Sequence, residues 1–388
     1  MSRPQPKVCL ITTSPLIVRF FLVPLLAGLS RRFDVTLLAN DDCSKLLGGP
    51  APSVRMRVFP IKRKIAPLSD LAALVQVTAF LYRERYDAVV TVAPKAGLIG
   101  MLAAVLAHVR FRCHVFQGEV WATRRNPTRA ILKLSDRIVA RLASMALVVG
   151  KPEREVLIRE KIVHPERSLV LGYGSISGVD TKKFAPNRER RDRLRQCLGI
   201  SDCAVLVLFL GRLTVDKGVL DLAAACRDLA AIHPTLHLAI VGPDEDGLGE
   251  KVPAIAGAAL GSRLHMSGLS IEPEAWIAAA DIVSLPSYRE GLANVILEAA
   301  ACQVPVVASR IYGIVDALVE NETGLAHPPG DQAALSQCLD QLISDPALRE
   351  QLGKAGRAFV MSRFEQGDAV GRFVAYISSQ IENCGVPR

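Results

Sequence analysis

Short, nearly unbroken apolar runs alternate along the chain with longer segments whose apolar positions recur at helical spacing. In the first half the runs VCLITT, DVTLLA, DAVVTV, RCHVF and ALVVG predict strands covered on both faces. Between them LIVRFFLVPLLAGLSRR, SDLAALVQVTAFLYRER, KAGLIGMLAAVLAHV and PTRAILKLSDRIVARLAS predict helices. The stretch FAPNRERRDRLRQ, polar from Pro186 onward, marks the expected domain boundary. The pattern then resets as AVLVLFL, a helix from Gly218, LHLAIVG, SRLHMSG, DIVSLP and PVVAS, with helices between them and two more after. This is the rhythm of parallel sheets covered by helices, so the predicted class is α/β with two doubly wound, Rossmann-like domains, 1–185 and 186–365. Such sheets bind ligands at the carboxyl ends of their strands, which places the expected site in a cleft between the domains. A last amphipathic segment, Arg363 to Ile381, predicts that residues 366–388 form a helix crossing back onto the first domain.

Composition narrows the setting. The apolar runs Leu98 to Ala107 and Ala204 to Leu210 fall short of the roughly 20 residues that span a bilayer. After Lys7 only VCLITT precedes Ser14 and Pro15, too short for the apolar core of a signal peptide. Nine cysteines, scattered from Cys9 to Cys384 without a CxxC pair or zinc spacing, are expected to be reduced. These features predict a cytoplasmic protein. Residues 1–185 hold 29 Lys and Arg against 13 Asp and Glu, a net charge of +16, leaving 18 against 25 and a net −7 for the rest. The first half is thus either an Arg-rich solvated surface or a face for something anionic: phospholipid, nucleic acid or a phosphate-bearing substrate. Nucleic acid is the weakest of these, since aromatics do not interleave the cations, and no nucleic-acid partner is expected.

Two motifs fall after predicted strands of the second half. In FLGRLTVDKG, Arg212 and Lys217 follow AVLVLFL closely enough to reach one anion, a guanidinium gripping two oxygens and an ammonium acting as a point charge. The plain alternative is an ordinary solvated loop. In SYREGLANVILEAAACQVPVV, Glu290 and Glu298 stand with seven residues between them around a helix start. The amides of Gly291, Leu292, Ala293 and Asn294 are expected to be free for a phosphate at the positive end of the helix dipole. Glu298 then accepts hydrogen bonds from a vicinal diol such as a ribose, and Glu290 from a second hydroxyl-bearing ring. Together they suit one nucleotide sugar.

The run PDEDG spells a D-x-D pattern with Asp244 and Asp246, elsewhere a metal-binding device. Here it follows LHLAIVG and is expected to begin a helix, where acids are favoured by the dipole alone. With cations and amides available for a diphosphate, neither metal nor cofactor is expected.

FLGRLTVDKG, AIVGPDEDG, PSYREGLANVILEAAACQVPVVAS and GIVDALVENETGLAHPPGD resemble the nucleotide-sugar domain of GT-B glycosyltransferases of family 4, over most of residues 205–332. The resemblance implies a GT-B fold, retention of anomeric configuration, the E-x7-E pair at Glu290 and Glu298, and phosphate ligands at Arg212 and Lys217. APKAGLIGMLAA and VLGYGSISGVDTKKF resemble bacterial members that extend polyprenyl-diphosphate-linked sugars for capsule, O-antigen or glycoprotein glycans. That implies a nucleotide-sugar donor, with a lean to UDP, a polyprenyl-diphosphate-linked acceptor, and peripheral association with the anionic inner face of the cell membrane.

Departures from the family matter too. VCLITT runs into Thr13, Ser14 and Pro15 where many members have a glycine-rich loop, and Gln117, followed by Gly118, stands where a histidine often lines the donor site. His114 reads as a packed core histidine and Glu119 as a remote candidate base. A retaining front-face reaction manages without a protein base, since the departing phosphate oxygen can take the acceptor proton; this follows from the resemblance. On the acceptor side Lys95, Arg124 and Arg125 are candidate diphosphate contacts, against the plain reading of surface cations, and Ser175, in YGSISGVD, is a candidate phosphate donor. The segments ALVQVTAFLYRERY and AILKLSDRIVARLA set cations beside apolar residues, suiting either anionic lipid or, for most of those apolar residues, the cover of a sheet. Two alternatives stay open: a sugar-nucleotide 2-epimerase of the same architecture, and a sugar-nucleotide-binding or membrane-scaffold protein without turnover.

Overall fold

The computed structural model describes residues 5–47, 49, 51, 53–61 and 66–385. The chain divides into two compact units, Met1–Gly178 with Gln366–Arg388, and Val179–Glu365. The division therefore falls at Gly178/Val179, ahead of the boundary expected at 185/186.

The first unit holds a sheet of seven parallel strands: β1 (Lys7–Ile11), β2 (Asp34–Ala39), β3 (Arg55–Val58), β4 (Ala88–Val92), β5 (Phe111–Phe116), β6 (Met145–Val148) and β7 (Ser168–Leu169), in the order β3-β2-β1-β4-β5-β6-β7. Five of these are the apolar runs of the sequence. The edge strands β3 and β7 escaped that reading because RMRV is mostly exposed and carries two arginines, and Ser168–Leu169 is only two residues long. The second unit holds six parallel strands: β8 (Val205–Leu210), β9 (Leu236–Val241), β10 (Leu264–Ser267), β11 (Ile282–Leu285), β12 (Val306–Ser309) and β13 (Gly324–His327), in the order β10-β9-β8-β11-β12-β13. Strand order reverses between β1 and β4 in one sheet and between β8 and β11 in the other. Those are the switch points where doubly wound sheets open a crevice.

The helices Pro67–Glu84, Pro94–Leu106 and Thr128–Leu142 lie side by side over the first sheet. Val77 and Leu81 from the first of them, Met101 from the second and Val139 from the third share one apolar core with Cys9, Ile11 and Val89 of the strands. The C-terminal helix Gln366–Gly385 belongs to this unit. It packs on the helix Val23–Ser30, with Tyr376 edge-on to Phe111 at 6.3 Å between ring centres, and Arg110 Nη1 donates to the Cys384 carbonyl at 3.1 Å. All nine cysteines are free thiols. No described helix is long and apolar enough to cross a membrane.

One sequence reading is corrected. FAPNRERRDRLRQ is not a linker: Asn187 caps a helix, Arg188–Leu198, by accepting from the Arg190 amide at 2.8 Å. Its Arg195 is buried, bonded to Asp281 Oδ2 at 3.0 Å and to the carbonyls of Ala279, Ser201 and Ala204. A buried guanidinium with its donors matched in this way is a core element that polarity alone disguises.

Candidate active site

The loops after β8 and β11 meet at the switch point of the second sheet. Residues Val215–Lys217 make one 3-10 turn, closed by Gly218 in the left-handed region at φ +66. A Cβ on Gly218 would stand 2.1 Å from the Pro286 carbonyl, so the turn needs glycine to lie against the β11 loop. The Tyr288 amide donates to the Asp216 carbonyl at 2.9 Å, and Arg289 clamps Asp216 Oδ2 through Nη2 at 2.6 Å and Nε at 3.1 Å. Burial works against ionisation of Asp216, but the Thr214 hydroxyl and Arg289 outweigh it and hold the carboxyl below its usual range.

This frame delivers Lys217 to Glu290. Lys217 Nζ lies 2.5 Å from Glu290 Oε1, and the Ser287 hydroxyl donates to the same oxygen at 2.7 Å. The Glu290 backbone is fixed by Gly313, where a Cβ would come within 2.2 Å of the Glu290 carbonyl and 2.4 Å of that of Gly291. Arg212 is held on the other side of the loop, its Nη1 donating to Glu245 Oε2 at 2.6 Å. The two cations thus rest on carboxylates, one each.

The helix Asn294–Ala301 starts directly after Glu290–Ala293, with no side chain capping it. The Ala293 amide, expected to be free, donates to the Gly313 carbonyl at 3.3 Å. Those of Gly291, Leu292 and Asn294 donate to no group among the described residues. Glu298 lies farther along this helix, partly buried, and its carboxylate makes no hydrogen bond or ion pair among the described residues. Burial pushes its pKa up to about 7, with Lys183 pulling down and Glu274 pushing up. Lys183 and Glu274 themselves pair at 3.4 Å.

PDEDG does not open a helix, as the sequence suggested; the next helix begins at Lys251. Asp244 instead accepts from the amides of Leu248 and Gly249 at 2.9 and 2.8 Å, which lowers its pKa, and Asp246 accepts from that of Val215 at 2.9 Å. Both aspartates shape turns.

In the first unit the candidates follow β4, β5 and β6. Lys95 pairs with Asp70 at 2.6 Å. Gln117 and Gly118 follow β5, and the Gly118 amide donates to the buried carboxyl of Glu153 at 2.5 Å. Burial, then the neighbouring Glu119, pushes the Glu153 pKa well up, so this acid holds its proton. Glu119 is itself buried beside it. The Ser175 amide donates to the Val149 carbonyl at 3.1 Å, and its hydroxyl accepts from the Gly178 amide at 3.0 Å. Arg124 and Arg125 are exposed. His114 is a core residue, bonded to Thr91 Oγ1 at 2.7 Å and kept neutral by burial, which lowers its pKa to about 3.

Arg212, Lys217, Glu290 and the free amides are therefore brought together after β8 and β11. Sequence reasoning missed Ser287, Glu245, Gly313 and the Asp216–Arg289 clamp. Ser287 alone carried a signal, three residues before Glu290; the others depend on which strands are neighbours.

Two families match the two halves of the chain. The family described as Glycosyl transferase 4-like domain matches residues 21–174, and Glycosyl transferases group 1 matches residues 190–359, the stretch that contains the site. Among solved structures, Anabaena Alr3699/HepE in complex with UDP and glucose superposes with a TM-score of 0.81 over 96% of this chain and 100% of that one, at 20% identity. The chain belongs to the GT-B glycosyltransferases. The sucrose-phosphate synthase of Thermosynechococcus elongatus shares the fold of this glycosyltransferase with a TM-score of 0.79 at 22% identity, over 97% and 100% of the two chains. The capsular polysaccharide biosynthesis glycosyltransferase CapM of Staphylococcus aureus is 27% identical to it over 312 residues, 79% of this chain and 80% of the relative. The UDP-Gal:alpha-D-GlcNAc-diphosphoundecaprenol alpha-1,3-galactosyltransferase of Escherichia coli is 28% identical over 317 residues, 78% and 80% of the two chains.

Proposed function

We propose that this glycosyltransferase moves a sugar, with retention, from a nucleotide donor of UDP type to a polyprenyl-diphosphate-linked glycan in capsule, O-antigen or exopolysaccharide synthesis, at the inner face of the cell membrane and without a metal ion. The observation that carries the reading is the Lys217–Glu290–Ser287 cluster beside the open amides of Gly291, Leu292 and Asn294. A diphosphate entering there competes with Glu290 for Lys217 and with Glu245 for Arg212, and both cations can turn to it. Glu290, still held by Ser287, then accepts from a hydroxyl of the donor sugar, and Glu298 from the ribose. Transfer breaks the bond between the anomeric carbon and the phosphate oxygen. The acceptor hydroxyl attacks from the same face, and its proton passes to the departing oxygen. Charge growing on the diphosphate is met by fixed amides and cations, the arrangement that stabilises a transition state most. The two relatives support the acceptor class, one named for capsular polysaccharide and one for a diphosphoundecaprenol-linked sugar.

The test is a panel of nucleotide sugars incubated with the purified protein and membrane lipid extract, with products read by mass spectrometry. The expected result is a lipid-linked glycan longer by one hexose-type residue from one donor of the panel. Interconversion of the free nucleotide sugar without any lipid product would favour the epimerase instead.

A further inference from the structure

Two neighbouring helices of the first unit carry a second apolar stripe that the fold does not use. In the helix Pro67–Glu84, Ala73, Val77 and Leu81 face the core, while Leu68, Leu71 and Val75 point away from it. In the helix Thr128–Leu142, Asp136 and Val139 are buried, while Ile131, Leu134 and Ile138 are exposed. Both exposed sets have the spacing i, i+3, i+7, which gathers them on one side of each helix. Five of the six side chains are more than half exposed, Leu68 at 87%. Both helices flank the same apolar helix, Pro94–Leu106, which packs against each of them.

The charge around these stripes has one sign. Arg83, Arg124, Arg125 and Arg141 are exposed and form no ion pair among the described residues. The acids of the two helices are occupied: Asp70 by Lys95, Glu84 by Lys7 and Arg55, and Asp136 by the indole of Trp121. The sequence before Pro67 adds Lys62, Arg63 and Lys64, which lie outside the described residues. A second copy docked symmetrically on this face would set arginine against arginine. A surface of apolar chains beneath anionic headgroups answers both features.

We infer that the outer face of the helices Pro67–Glu84 and Thr128–Leu142 docks on an anionic lipid bilayer, seating the two aliphatic stripes among the headgroups with the arginines on lipid phosphates. This deepens the proposed function, on which it rests for the lipid-linked acceptor. It also goes beyond a charge-only attraction, because seated side chains leave binding that salt does not remove.

Flotation of the full-length protein with vesicles of phosphatidylcholine alone, and of phosphatidylcholine with phosphatidylglycerol, tests it. Wild type is expected to float with the anionic vesicles and to retain a fraction of that binding at high salt. The double variant Leu71→Ser/Leu134→Ser should lose about tenfold or more in partitioning at both salt concentrations, as expected when leucines no longer leave water. Arg83→Gln/Arg141→Gln should lose only the salt-sensitive part. Should the serine variant unfold, Leu134→Trp replaces it: brominated lipid should quench its emission beyond the wild-type level. Flotation of a folded serine variant equal to wild type, absence of extra quenching, or a shift from dimer to monomer on serine substitution would each overturn the assignment. Turnover on a short-chain, water-soluble acceptor diphosphate separates the two readings. The serine variant should match wild type there, and a loss would overturn docking, whereas a wild type inactive with every donor would sink the proposed function and leave docking standing.

Discussion

In the second unit the loops after β8 and β11 keep their cations in pairs that a ligand can dismantle, Lys217 on Glu290 and Arg212 on Glu245, beside amides with nothing to donate to. In the first unit the loop after β5 is fastened from below, with the Gly118 amide on the buried Glu153, and Lys95 after β4 is held by Asp70. The same doubly wound plan thus carries an exchangeable charge site in one sheet and fixed loops in the other. The difference teaches where chemistry sits: a group that bonds equally well before and after a reaction contributes nothing to its rate, whereas one that changes partner can.

The largest effect that would break this contrast is at Glu290. Glu290→Ala should abolish transfer, since it removes both the sugar contact and the partner that positions Lys217; turnover near the wild-type rate would end the assignment. Next comes the leaving diphosphate. Lys217→Ala or Arg212→Ala should each lower kcat by about a hundredfold, roughly 3 kcal/mol, by analogy with removing one preorganised transition-state donor. If both changes together left the rate within a few fold, the phosphates would have to bind elsewhere.

How much of this was legible beforehand followed from the range of each interaction. Strands buried on both faces read directly, as did the E-x7-E pair, because the segments themselves carry the signal. The helix Arg188–Leu198 did not, because burial of Arg195 depends on Asp281, far away in sequence. Arg212 was found but its partner Glu245 was not, for that contact exists only because β8 and β9 are adjacent. The exposed stripes in the first unit were likewise hidden. Sequence periodicity shows that a helix has apolar positions on more than one side, not which side the sheet takes.

A smaller effect sharpens the first-unit side of the comparison. Glu153 titrates higher in the fold than in the unfolded chain, so the unfolded state loses its proton first as pH rises. Stability should therefore be fullest at low pH and fall from about pH 4.3, the unfolded value, upward. Glu153→Gln keeps an oxygen for the Gly118 amide and should flatten that decline in melting experiments; an unchanged slope would mean that other groups set it. The smallest expected effect concerns PDEDG. With Asp244 and Asp246 committed to backbone amides, EDTA should leave turnover intact and Asp246→Asn should change it at most a few fold. Inactivation by chelation, reversed by manganese or magnesium, would contradict the cation-and-amide mechanism.

The account's central claim is that one nucleotide sugar spans the start of the helix Asn294–Ala301, with Glu290 serving the reacting sugar and Glu298 the ribose. Calorimetric titration of UDP into wild type, Glu290→Ala and Glu298→Ala tests this most directly, repeated below and above the Glu298 pKa of about 7. Glu290→Ala should bind UDP within a few fold of wild type. Glu298→Ala should lose about tenfold or more, having left two ribose hydroxyls without an acceptor. Wild-type affinity should rise as pH increases through 7, because the ionised carboxylate is the better acceptor, and Glu298→Gln should remove that rise. Equal UDP affinity in all three proteins, or a loss confined to Glu290→Ala, would contradict the account.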